Sequence, residues 1–175
     1  MINLFNQDYN ETPKEFSKTK GSERIQINNI LSAITIAVLT ILAQNQDSNS
    51  YYTIILSELS AAIPILILSS LAYSKICYRS HNEYIYWNGS GWLTHTIGYF
   101  LLIDGIFLLL YSHSFIVPAK TLLITTLVLI IIYSILDIVT SPDKSVRIER
   151  TKEKAIKLTI YLLILLLGAI FPIYY

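Results

Sequence analysis

Cysteine is almost absent from this chain. A single cysteine, Cys77, among 175 residues leaves no internal disulfide, no CxxC redox pair and no cysteine zinc site. Charge is scarce too, at 14% of residues, where a soluble domain carries about a quarter. The net charge of +1 provides no basic field for nucleic acid. HExxH, GxSxG, a P-loop and GxGxxG are all missing, so no enzyme chemistry and no cofactor are expected. The three histidines, His81, His95 and His113, fall at different levels of the spans described below, so no metal site is expected. The polar segments are too short for a soluble nucleotide- or peptide-binding domain. No internal repeat stands out, and five spans do not divide into two equal inverted halves, which argues against alternating access within one chain.

Long apolar runs dominate what is present. Residues AVILMFWYC make up 53% of the chain. Five runs reach the roughly 20 apolar residues that cross a bilayer: residues 25–44, 52–74, 92–112, 117–140 and 157–172. The first follows 24 polar residues and is too long for the apolar part of a typical signal peptide. The predicted fold class is therefore an all-α integral membrane protein, a bundle of five transmembrane helices.

Lysine and arginine set the expected orientation. Residues 1–24 carry Lys14, Lys18, Lys20 and Arg24. Lys75 and Arg79 follow the second run, and Lys144, Arg147, Arg150, Lys152, Lys154 and Lys157 follow the fourth. With Lys120 assigned to the outer side, twelve cations lie inside and one outside. The N-terminus is thus expected in the cytoplasm and the C-terminus outside, in a plasma membrane of bacterial inner-membrane type.

The polar segments carry helix signals. "TPKE" at 12–15 reads as a capping box with proline at the first helical position. It predicts a short amphipathic helix over 13–20 that ends at Gly21, within a cytoplasmic tail of residues 1–24. Residues 75–91, rich in tyrosine and tryptophan, read as an interfacial loop. "SPDK" at 141–144 starts a basic cytoplasmic helix over 142–157. No glycine or proline separates this helix from the fifth span, so 142–171 reads as one helix of about 45 Å.

Read at 100° per residue, the spans show stripes. Span 1 lines up Gln26, Asn29, Ala33, Ala37, Thr40 and Gln44. Span 2 lines up Glu58, Ala61, Ala62, Ser69 and Ala72, with Pro64 expected to kink it. Span 3 places Gly91, Gly98, Gly105 and Ser112 at every seventh position, and span 4 stacks Thr126, Tyr133, Asp137 and Thr140. Small residues let helices approach closely in lipid, so these stripes are expected to face inward, while span 5 looks peripheral.

Ionisable groups inside spans are costly and mark functional positions by default. From the orientation, Glu58 lies about 9 Å and Asp104 about 12 Å below the outer edge. Lys120 enters span 4 from that side and could reach toward both. His95 and Asp137 share a level near the inner edge and form a candidate gate or structural pair. Asp104 lies on a different face of span 3 from the glycine stripe, so it is not expected in the tightest helix seam.

These patterns lead to a homo-oligomeric pore or channel-like protein that conducts ions. Its pathway candidates are Glu58, Asp104, Lys120, Asn29, Thr40 and Gln44. The competing expectation is a non-conducting membrane subunit or regulator. It would dock a cytosolic or membrane partner on its cytoplasmic face through Lys144, Arg147, Arg150, Lys152 and Lys154.

Overall fold

The computed structural model describes residues 13–44, 51–76, 81–140 and 144–174. Among the described residues six α-helices follow in order: α1 (Pro13–Gln44), α2 (Tyr52–Ile76), α3 (His81–Ser112), α4 (Ile116–Val139), α5 (Lys144–Leu165) and α6 (Phe171–Tyr174). A π-helical turn, Leu166–Ile170, joins the last two. No strand occurs among the described residues. Five helical stretches are long and apolar enough to cross a membrane: Gly21–Gln44, Tyr52–Ile76, Tyr86–Ser112, Ile116–Leu136 and Arg150–Ile173.

Two helix boundaries differ from expectation. Gly21 does not end a short helix; α1 runs unbroken from Pro13 through it. A glycine costs a helix only about 1 kcal/mol, and Gly21 is a buried position inside α1. At α3 the structure extends the helix back to His81, so most of the expected interfacial loop is helical. Nothing between His81 and Trp92 is proline, and Gly89 and Gly91 are tolerated in the same way. Pro64 does not interrupt α2. Thr12 of the expected capping box and the apolar residues Leu4, Phe5 and Tyr9 of the tail lie outside the described residues.

The chain forms two compact units, Met1–Ser48 with Leu56–Leu102, and Asn49–Ile55 with Ile103–Tyr175. In the first unit, the buried positions of α1 are Gly21, Asn28, Thr35 and Leu42, each seven residues from the last. Along α2, buried residues alternate steps of four and three through Leu59, Ala62, Leu66, Ser69, Tyr73 and Ile76. Steps of this kind keep one seam of a helix facing its neighbour along its whole length. Two members of the glycine stripe, Gly91 and Gly98, are where α2 meets α3. A Cβ on Gly98 would stand 2.8 Å from Leu66 Cγ, and one on Gly91 would stand 3.1 Å from the Tyr73 ring.

In the second unit, α3 ends in a Schellman-type turn. Ser114 N–H donates to Tyr111 O at 3.0 Å and Phe115 N–H to Leu110 O at 2.9 Å. The turn requires a left-handed residue, and Ser114 occupies it at φ 65°. Further along, Lys154 Nζ sits 4.9 Å from the centre of the Tyr133 ring, and Lys157 pairs with Glu153 one turn away.

Large apolar side chains cover the outside of the helices. Ile30, Ile41, Ile67, Leu68, Ile124, Leu129, Ile132, Leu163 and Leu167 are all exposed. An apolar skin on this scale suits lipid rather than water.

Two substitutions of opposite sign test this packing in thermal unfolding of the purified protein in detergent. Gly98→Leu overfills the α2–α3 seam and is expected to lower stability by about 1–3 kcal/mol. Ser114→Gly relieves the left-handed serine and is expected to raise it by about 1 kcal/mol.

Candidate functional site

The first unit holds a buried polar chain that links three helices. Asn28 on α1 and Ser69 on α2 are each 0% exposed. Ser69 Oγ donates to Gly91 O on α3 at 2.8 Å. Asn28 Nδ2 donates to Ser69 Oγ at 3.0 Å, and Asn28 Oδ1 lies 2.6 Å from His95 Nδ1. His95, one turn after Gly91 on α3, also stacks on Tyr99 with ring centres 6.4 Å apart.

This chain has only one consistent direction. A backbone carbonyl can only accept, so the Ser69 hydroxyl must donate to Gly91 O. The serine oxygen is then the acceptor for the Asn28 amide N–H, which fixes that amide's orientation. Its Oδ1 is left to accept, and the donor must be Nδ1–H of His95. In the neutral ring Nε2 therefore carries the lone pair, and a proton gained there would leave every bond of the chain intact. Arg24, one turn before Asn28, lies within electrostatic reach of the same ring. Each buried polar atom of this chain thus has a partner, as burial demands.

The expected inner pair was His95 with Asp137. The partner that His95 has is Asn28, and the side chain of Asp137 lies outside the described residues. Sequence pattern singles out Asn29 and passes over its neighbour Asn28. In the structure Asn28 faces the interior, while Asn29, Thr40 and Gln44 are exposed along with Gln26, Ala33 and Ala37. The small and polar stripe of α1 is therefore not its packed face. Two adjacent asparagines stand 100° apart on a helix, and only contacts on other helices decide which one turns inward. Thr40 returns its hydroxyl to Ile36 O of its own helix at 2.8 Å.

Glu58, also in the first unit, is half-buried, and its Oε2 has no hydrogen-bond partner. Asp104, in the second unit, is 0% exposed and does sit in a very tight seam, against expectation. A Cβ on Gly168 would stand 2.8 Å from Asp104 Cγ and would overlap Oδ2. The glycine stripe marks the seam with α2, but the carboxyl of Asp104 meets another glycine, on the π-helical turn. The last span is thus peripheral for most of its length and closely docked there, where Leu165 and Ala169 are buried.

The remaining candidates are spread out. Lys120 is exposed on α4. On α5, Lys152 is exposed, Arg150 is half-buried and Lys154 lies over Tyr133. The side chains of Lys144 and Arg147 lie outside the described residues. Among the described residues, no group of three or more His, Cys, Asp or Glu side chains is arranged to hold a metal ion.

No family model, no curated protein and no solved structure matches the chain.

The polar chain has a direct test. Asn28→Ala leaves both Ser69 and His95 without the amide between them. It is expected to cost about 1–3 kcal/mol in detergent unfolding. A double-mutant cycle with Ser69→Ala should return a coupling near 1 kcal/mol; strictly additive losses would show that the two residues do not act as a unit.

Proposed function

We propose that this is a multi-pass plasma-membrane protein, of bacterial inner-membrane type, that assembles into a homo-oligomer and conducts ions. In this reading the N-terminus and the basic residues of α5 face the cytoplasm and the C-terminus lies outside. The outward polar face of α1 lines the path between subunits.

One observation carries the reading. Asn29 and Gln44 stand exposed on a helix apolar enough to span a membrane, while Asn28 of the same helix is fully occupied inside. Bare amides facing lipid are costly, because hydrocarbon offers them no hydrogen bond. Packing α1 against copies of itself, around water, satisfies them. Ala33 and Ala37 between them allow the helices close approach. The oligomer then carries the function, since one chain of this size cannot enclose a path by itself. Asp104, which is sealed inside the chain, is not part of the lining.

Ion flux from liposomes that hold the purified protein tests the proposal. Wild type should release ions well above empty liposomes, and Asn29→Leu with Gln44→Leu should reduce that flux at least tenfold while the chain still inserts. Flux at the level of empty liposomes, or a double variant that conducts normally, would refute it. Orientation is checked separately, by replacing Cys77 with serine and introducing Lys152→Cys. That thiol is expected to react with an impermeant reagent only after the inner face is opened.

A further inference from the structure

A carboxyl inside an apolar span lowers its cost in one of three ways: an opposite charge, a set of hydrogen-bond donors, or a proton. Glu58 lies in a stretch of α2 apolar enough to cross a membrane. It is half-buried, and its Oε2 is sealed from solvent. Among the described residues neither an ion pair nor a hydrogen-bond donor serves that oxygen. Two of the three ways are therefore closed to it, and the third is a proton.

The position of Glu58 on its helix explains the missing partners. At 100° per residue it stands about 40° from Ala62 and about 20° from Ser69, both 0% exposed. It thus belongs to the packed side of α2. Ser69 serves the chain with Asn28 and His95, but it lies eleven residues on, about 16 Å at helical rise. Leu59, Ala62 and Leu66, the buried residues that follow Glu58 on α2, bring no donor. Thr35 of α1, also 0% exposed, gives its hydroxyl proton to Leu31 O of its own helix at 2.8 Å. A metal cation would call for several oxygen ligands, and among the described residues no group of three or more His, Cys, Asp or Glu is arranged to supply them. A proton needs a single oxygen.

We propose that Glu58 is a reversible proton-binding site, a neutral carboxylic acid while Oε2 is sealed on the packed side of α2 and a carboxylate once the side chain turns outward. In the sealed state the carboxyl keeps its proton. On release the O–H bond of the acid breaks, the proton passes to water and a carboxylate remains. That charge turns the carboxyl out of the packed side to meet water, and return of the proton lets it turn back. The residue reaches the surface of the chain already, so the exchange needs a side-chain rotation and no movement of a helix. This site does not depend on conduction along α1.

Few other titratable groups share the first unit with it. On α1 they are Glu23 and Arg24, and none follows them up to Gln44. On α2 the next are Tyr73 and Lys75, more than four turns beyond Glu58. On α3 the unit holds Glu83, Tyr86, His95 and Tyr99. His95 is committed to Asn28 and stacks on Tyr99. The remaining titratable side chains of this unit lie outside the described residues.

Labelling of the full chain in lipid nanodiscs with dicyclohexylcarbodiimide, mapped by peptide mass, tests the site. This lipid-soluble reagent reacts through the neutral acid: the carboxyl O–H adds across one C=N bond, and an oxygen-to-nitrogen acyl shift leaves a stable acylurea. Wild type should carry the adduct on Glu58, and its initial rate should fall at least tenfold from about pH 6 to about pH 9, as the acid gives way to carboxylate. Over the same range infrared difference spectra should show an acid C=O band replaced by carboxylate bands. Glu58→Gln, nearly identical in shape, should lack that exchange of bands. Three results would overturn the proposal: no adduct on Glu58, a labelling rate that does not change with pH, or protection of Glu58 when sodium chloride replaces choline chloride at fixed pH. The third result would assign the site to a metal cation. The labelling is read on wild type, so it stands even where the variant does not fold.

Discussion

The amide of Asn28 sets the orientation of α1, and much of the first unit follows from it. It gives to a serine and takes from a histidine, and each of those is anchored on α3, one through Gly91 O and one as His95 itself. Asn28 and Ser69 are closed off from water, so a mismatch anywhere along the chain leaves a polar atom bare. Rotating α1 by one residue would put Asn29 inward at the cost of both bonds of Asn28. The glycine and tyrosine packing of α2 on α3 then serves the same chain. It holds Ser69 close enough to reach a backbone carbonyl that is already within a helix.

The second unit handles its buried polar group in another way. Asp104 needs room at its carboxyl: Gly168 supplies the space, and Pro172 distorts the turn that bears it. The two residues are four apart, so the carbonyl crowded by the proline ring belongs to the glycine that receives the carboxyl. Neither residue alone would mark a site. Their spacing on the last span, opposite the buried Asp104 of α3, makes the seam tight.

The five apolar helices are legible in the sequence because length and hydropathy are local properties. The seven-residue glycine spacing of α3 is legible for the same reason, and it does lie in a packed seam with α2. Helix ends are less so. Gly21 looks like a stop and is a buried position inside α1, and the aromatic stretch before Trp92 looks like a loop and is mostly the first turns of α3. The site was harder still. Asn28 and Asn29 have the same chemistry, and only residues 41 and 67 positions away choose between them. The contact of Asp104 with Gly168 spans a similar distance in sequence, so a helical wheel drawn on α3 alone points the carboxyl away from the tightest packing. Pro172 was the one local clue, since a proline inside a helix announces a disturbed turn.

The turned-out face of α1 has its own internal order. Thr40 satisfies its hydroxyl on its own helix and asks nothing of a neighbour. Asn29 and Gln44 ask for more, because each amide carries two N–H donors and an acceptor oxygen. The demand for partners therefore falls at two levels, fifteen residues or about 22 Å apart at helical rise. Between them lie Ala33 and Ala37, small and without polar atoms. In a ring of such helices the amides would form wet rims at the two ends and the alanines a narrow dry waist between them. Apolar constrictions of that kind gate by losing their water. The waist would then gate the path, and the polar rims would wet its two ends.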